Sequence, residues 1–240
     1  MLTHHSWCGL MFVICSSFVS HAVYAECTIL LHGLARTHHS MTTLGLALEN
    51  KGYTVVNISY PSREHSIEVL ANDVIPRALT YCPKDLAINV VTHSMGAILL
   101  RQYLSSKSIP RLHRVVMLAP PNQGSEVVDK LGAYPGFHWL NGDAGMQLGT
   151  SVASLPNRLA GAHFNVGIIA GTRSINIFLS TLIPGQDDGK VSVERTKLVG
   201  MSDHIVMPVT HTFMMTNKAV IQQVVDYLKK GQFTRDRTQP

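Results

Sequence analysis

The stretch that most constrains this chain is Leu86-Ala87-Ile88-Asn89-Val90-Val91-Thr92-His93-Ser94-Met95-Gly96. A β-branched apolar run stops at a serine, and a helix-type run over residues 97–104 starts at once. A strand that turns this abruptly into a helix holds the turn residue in a strained backbone at the carboxyl end of a sheet. The side chain there faces accessible space, in front of the free N–H groups and positive end of the helix. Ser94 is therefore a candidate nucleophile with an anion-binding position beside it. The usual spacing for such a turn is G-x-S-x-G. Here Thr92 stands where the first glycine would be, and Gly96 keeps the second. Thr is larger, so the turn must open or its hydroxyl must find a niche. An ordinary strand–helix turn also fits these five residues, so the rest of the chain has to decide.

The surrounding pattern is an alternation. Residues 28–31, 53–60, 114–119, 165–170 and 204–209 read as strands beside the one that ends at Ser94. Between them, Met41, Leu44, Ala47 and Leu48 recur at helical spacing up to Gly52. Ile67, Leu70, Ala71, Val74, Ala78 and Leu79 do the same over residues 66–81, where Pro76 is expected to introduce a kink. Residues 214–230 close as a helix with Ala219, Val220, Val224 and Leu228 inward, followed by a polar tail at 231–240 expected to be loose. Strands alternating with helices argue a parallel sheet covered on both faces, in one domain without repeats or linkers. The exception is a long insertion at about residues 122–164. Its apolar content, including Tyr134, Phe137, Trp139, Leu140, Met146 and Leu148, suggests a cap over a pocket, or else a helical excursion that only covers core.

The N-terminus reads differently. An apolar block at 7–19 precedes Val23-Tyr24-Ala25, which offers small residues where a signal peptidase reads, so residues 1–25 are expected to be a signal peptide. The segment before the block has no Lys or Arg, a departure from the usual pattern. The block is short for a bilayer span. Export places the mature chain, residues 26–240, in the periplasm or outside the cell. Cys8 and Cys15 leave with the leader, so Cys27 and Cys82 remain, either as one disulfide or as two buried thiols. The 240 residues carry a net charge of +5, with basic residues scattered and no aromatic-plus-basic cluster. That excludes a nucleic-acid footprint and leaves a mild attraction to anionic surfaces.

Together, Leu31-His32-Gly33-Leu34, the turn at 92–96, the Ala119-Pro120-Pro121-Asn122-Gln123-Gly124-Ser125 segment, Asp188-Gly189-Lys190-Val191 and Thr210-His211-Thr212 resemble the α/β-hydrolases, specifically compact bacterial lipases and esterases. They also resemble the wider lipase-like group that includes GPI inositol-deacylase relatives. The order Ser, Asp, His is the order of that fold. In that family the His-Gly pair follows the third of eight strands; here it comes almost at the expected mature N-terminus, so the resemblance implies a sheet without the first two strands. The resemblance thus implies an α/β-hydrolase fold of about six mostly parallel strands, with helices on both faces and a cap insertion. It also places Cys27 and Cys82 at the bottom of neighbouring strands, implying a Cys27–Cys82 disulfide contributing about 3–4 kcal/mol.

The resemblance implies roles for particular residues. Ser94 is the nucleophile. His211, just past the last strand, is the base in preference to His204, which opens that strand. His93 is expected to face away. Asp188 fits the acidic position, with Asp187 its neighbour and Asp203 remoter; a solvated turn would also explain the pair. The oxyanion donors are the N–H groups of Leu34 and Met95. Gln123 to Ser125 receive no catalytic role. The implied reaction is acyl-enzyme hydrolysis of carboxylic esters with hydrophobic acyl groups, small-molecule or lipid, with a transient lipid interface. No cofactor, metal or obligate protein partner is implied, a calcium role for Asp187 being a minor alternative. A thioesterase, a lipid deacylase or acyltransferase with the same residues, and a catalytically silent ligand-binding protein are the rival readings.

Overall fold

The computed structural model describes residues 26–235. The expected leader, its cleavage position at Ala25 and residues 236–240 lie outside the described residues. The chain runs β1 (Glu26–Leu31), α1 (Thr42–Glu49), β2 (Thr54–Ile58), α2 (Ile67–Thr80), β3 (Ala87–His93), α3 (Met95–Leu104) and β4 (Leu112–Leu118). The insertion follows, with α4 (Glu126–Leu131), α5 (Pro135–Met146) and α6 (Leu155–Arg158). Then come β5 (Val166–Arg173), α7 (Ile177–Thr181), α8 (Val193–Thr196), β6 (Asp203–Thr210) and α9 (Lys218–Lys230). Short 3₁₀ turns precede α1 and α9. The six strands form one sheet in the order β2-β1-β3-β4-β5-β6, every pair parallel.

Strand alternation divides the core into two layers. Ile29, Leu31, Val90, Val115, Met117 and Ile168 pack under α2 and α3. Leu30, Val91, Val116, Leu118 and Ile169 pack under α1 and α9. Each face of the sheet is thus apolar and covered, as parallel strands require. α2 stays one helix across Pro76, with buried residues on both sides of it. The inward face of α9 is Val220, Val224, Val225, Tyr227 and Leu228; Ala219 is exposed instead. Residues 231–235, the described part of the segment after α9, are docked rather than loose. Phe233 is buried against the Tyr227 ring, and Arg235 pairs with Asp203 at 2.5 Å. Phe233 and Arg235 together fasten this stretch to α9 and β6. Cys27 and Cys82 are joined as a disulfide, Cα to Cα 5.7 Å, tying the start of β1 to the turn after α2.

The order reverses between β1 and β3: the chain moves outward from β1 to β2, then returns to the other side of β1. Crevices at the carboxyl ends of such strands are where ligands sit in open α/β sheets. Ser94 follows β3 there. Gly96 lets α3 start against the end of β1, since a Cβ on it would lie 2.7 Å from the Leu31 carbonyl oxygen. Thr92, the departure from the glycine pattern, is wholly buried, and its hydroxyl has no hydrogen-bond partner among the described residues. Thr92→Val should therefore raise stability by about 1 kcal/mol, read as a higher urea midpoint at unchanged slope. A fall would mean that the hydroxyl is satisfied after all.

Candidate active site

Ser94 takes φ 52°, ψ −123°, in the positive-φ region that a non-glycine residue occupies at a cost of about 1–3 kcal/mol. Its neighbours hold it there: its N–H donates to the Leu118 carbonyl at 2.8 Å, and Ala97 N–H donates to its carbonyl at 3.0 Å. α3 starts at Met95, two residues earlier than the sequence pattern suggests. The half-buried Ser94 hydroxyl therefore sits at the first turn of that helix.

The structure brings Ser94, His211 and Asp188 into one hydrogen-bonded chain. Ser94 Oγ lies 3.0 Å from His211 Nε2, and His211 Nδ1 lies 2.8 Å from Asp188 Oδ2. Both rear members are closed to water, His211 at 5% and Asp188 at 0% side-chain exposure. The other Asp188 oxygen accepts the N–H groups of Lys190 and Val191 at 3.0 and 2.9 Å. His211 N–H donates to the Asp188 carbonyl at 3.0 Å, so the two loops are also bound through their backbones. Asp187 turns elsewhere, accepting from the Ser180 hydroxyl and the Gly189 N–H, each at 2.7 Å. Asp203 holds Phe233 N–H and Arg235 at the foot of β6. His204 Nε2 meets the Thr196 hydroxyl at 2.9 Å. None of these three enters the chain.

His93 departs from expectation. Its ring packs on His211, centroids 4.9 Å apart, and its Nε2 lies 3.0 Å from the His211 carbonyl oxygen. The period of a strand explains this: His93 is two residues from Val91, so it projects to the same face, where the loop after β6 folds over. Burial first, then the charge of His211, holds its pKa well below the ordinary value. The neutral ring thus donates through Nε2 to the His211 carbonyl. Gly33 leaves room for it, since a Cβ there would lie 2.9 Å from His93 Nδ1 and 3.2 Å from Ser94 Cβ.

That close approach brings the Leu34 segment beside Ser94. Among the described residues, neither the Leu34 nor the Met95 N–H donates to a protein acceptor outside helix and strand ladders. The segment is braced by His32, which is buried and stacked on Tyr60 at 3.8 Å. His32 Nδ1–H donates to the Gly33 carbonyl at 2.9 Å, and Nε2 accepts the Tyr60 N–H at 3.3 Å. Burial, only partly offset by the Gly33 bond, lowers its pKa from 6.5 to about 4. Below pH 6.5 the unfolded chain therefore takes up a proton that the folded chain refuses. Stability should fall as pH drops from 6.5 towards 4, by about 3 kcal/mol from this residue. Urea unfolding at pH 7 and pH 4.5 measures it, and His32→Gln should flatten that part of the slope. A wild-type slope that is flat over this window would contradict the assignment.

The insertion roofs the site. Leu34, Val127, Val128, Leu131, Phe137, Leu140, Leu148, Leu179 and Val191 line a cavity of about 280 Å³ that opens on Ser94 and His211. The roof is fastened from below by Arg101 of α3, a residue with no sequence signal of its own. It is buried and donates to the carbonyls of Asn122, Pro156, Leu159 and Ala160 at 2.8–3.3 Å. Ser125 Oγ donates to the Lys190 carbonyl at 2.7 Å, tying the insertion to the Asp188 loop. So the segment after β4 has a positioning part. Next in sequence to the lining residues Leu140 and Leu179, Trp139 and Phe178 are 82 and 65% exposed, and Ile177 is 80% exposed. Among the described residues, no group of three or more His, Cys, Asp or Glu side chains is placed to hold a metal ion, and no helix is long and apolar enough to cross a membrane.

No protein-family model matches the chain, and no curated protein matches it in sequence. Solved structures do match. A lipase of Bacillus licheniformis in its mature form superposes with a TM-score of 0.65 over 87% of this chain and 93% of that one, at 14% identity. A metagenomic carboxyl esterase gives 0.58 over 79% and 65%, at 17% identity. A structure of the metagenome-derived lipolytic enzymes LipS and LipT gives 0.58 over 87% and 95%, at 14% identity. At such identities the likeness is one of fold: the chain has the α/β-hydrolase fold, with its six-stranded parallel sheet.

Proposed function

We propose that this protein is a serine hydrolase that cleaves carboxylic esters with hydrophobic acyl groups through an acyl-enzyme. The observation that carries the reading is the continuous Ser94–His211–Asp188 hydrogen-bond chain at the mouth of an apolar cavity. A serine hydroxyl is a weak nucleophile and needs a base in reach. Here Ser94 Oγ attacks the ester carbonyl carbon as its proton passes to His211 Nε2. Asp188 keeps the Nδ1 proton in place and stabilises the imidazolium. The Leu34 and Met95 N–H groups receive the charge on the carbonyl oxygen. The C–O bond breaks, and His211 returns the proton to the departing alcohol oxygen. Water repeats the sequence on the acyl-serine and releases the acid.

The apolar lining supports a hydrophobic acyl group, and the exposed Trp139, Ile177 and Phe178 support contact with a lipid surface. The Cys27–Cys82 disulfide supports an oxidising compartment, in keeping with export. A cavity of about 280 Å³ is at the small end of ligand sites. Hydrolysis of a 4-nitrophenyl ester series should therefore peak at acyl chains of about four to eight carbons. Matched thioesters should be cleaved more slowly than the oxygen esters; the reverse order, or no ester cleavage by folded protein, would overturn the reading.

A further inference from the structure

The cavity lining is mostly apolar, and among its polar members are two cations, Arg36 and Lys190, which share it with Ser94 and His211. Both cations are carried on the loops that frame the nucleophile. Arg36 is two residues past Leu34, behind Ala35, whose backbone has φ 54° and whose N–H donates to the Ser62 hydroxyl at 3.0 Å. Lys190 is two residues past Asp188, its N–H bound to Asp188 Oδ1 and its carbonyl to Ser125 Oγ. Neither side chain forms an ion pair with a carboxylate among the described residues. The nearby acid, Asp188, is already committed to His211 and two amides. Two like charges thus line one cavity, and neither is neutralised by an ion pair among the described residues.

Their mutual effect is felt in the site. Lys190 keeps an exposed side, yet the protein packed around its amine, and then the Arg36 charge, lower it from its ordinary value, with Asp188 opposing. His93 feels both cations. Such repulsion is relieved by an anion bound between them. Cations with this freedom are also scarce for a pocket that takes only uncharged esters, because a neutral ligand would cover them without compensation.

Building on the ester-hydrolase reading, we propose that Arg36 and Lys190 select an ester carrying a phosphate or carboxylate group near the scissile bond. The acyl chain lies along the apolar lining of the cavity and the anion sits against the two cations. Arg suits a bidentate oxyanion and Lys a point contact, so both anion types meet the same pair.

Binding to the Ser94→Ala protein tests this without turnover. Calorimetric titration with hexyl phosphate, monohexyl succinate and neutral 1-hexanol should give at least tenfold tighter binding of an anion than of hexanol. The two anionic arms distinguish a lipid-headgroup-like phosphate from an organic-acid ester. Raising NaCl to about 0.5 M should erode the preference. Arg36→Gln, which leaves the Asp188 loop untouched, should reduce it, and Arg36→Gln with Lys190→Gln should bring it below twofold. Equal affinity for the three ligands, or a preference that survives the double substitution in folded protein, overturns the proposal. If the wild type cleaves no ester while the anion preference stands, it is the hydrolase reading that falls and the anion site that remains.

Discussion

Ser94→Ala is expected to lower kcat/KM on a 4-nitrophenyl ester by about 10⁵–10⁶-fold. The substitution removes the attacking oxygen and leaves the cavity, the Leu34 and Met95 amides and the His211–Asp188 pair standing. A residue of catalysis, about 10³–10⁴ over water, should persist from those parts. His211→Ala should fall about as far, and the double variant hardly further, because the two act as a unit. Among the described residues the only side-chain hydrogen-bond partner of Ser94 is His211, so the thermal midpoint should move little. Steady-state kinetics with a titrated enzyme concentration decides it. A loss of less than about tenfold in Ser94→Ala would mean that another group performs the attack.

The second large effect separates two adjacent carboxylates. Asp188→Asn should reduce kcat by about 10⁴-fold. Asp188 Oδ1 accepts two backbone N–H groups, so an asparagine there keeps its carbonyl oxygen toward Lys190 and Val191 and points its NH₂ at His211. That donor forces His211 Nδ1 to accept, moves the ring proton to Nε2, and removes the base that faces Ser94. Asp187→Asn should cost less than about tenfold, because among the described residues the Asp187 side chain serves the Ser180 hydroxyl of α7 and the Gly189 amide of its own turn, not His211. Measured side by side on one ester, equal losses or the reverse order would assign the acid to the wrong neighbour.

Much of this architecture is legible in the chain because local chemistry and global position agree. The apolar run into Ser94, the alternation of strands with helices and the landmark order from His32 to His211 all point to one sheet with its working residues at one end. The six-stranded parallel sheet and the Cys27–Cys82 bridge follow that reading. What stayed hidden depends on tertiary packing. His93 lies beside Ser94 in sequence, but only the fold of the loop after β6 shows that its ring supports His211. Ala219 and Val225 are both small apolar residues at plausible helical positions, yet the fold buries Val225 and leaves Ala219 exposed. Arg101 looks like an ordinary surface cation until the carbonyls of the insertion close around it. Asp187 and Asp188 are alike as residues and differ in the partners each one faces, Ser180 and Gly189 for the first, His211, Lys190 and Val191 for the second.

The same limit applies to Arg36 and Lys190. Nothing local marks either, and they meet because two loops from opposite halves of the chain frame one cavity. A mostly apolar pocket that also holds two cations suits an amphipathic ester, and the exposed Trp139, Ile177 and Phe178 suit delivery from a lipid surface.

The most direct measurement is covalent: treat the folded protein with a fluorophosphonate and map the adduct by peptide mass spectrometry. One phosphonyl group per chain on Ser94, absent after His211→Ala within the same exposure time, is the predicted result. An adduct on another serine, or none on protein that is folded and carries its disulfide, would contradict it.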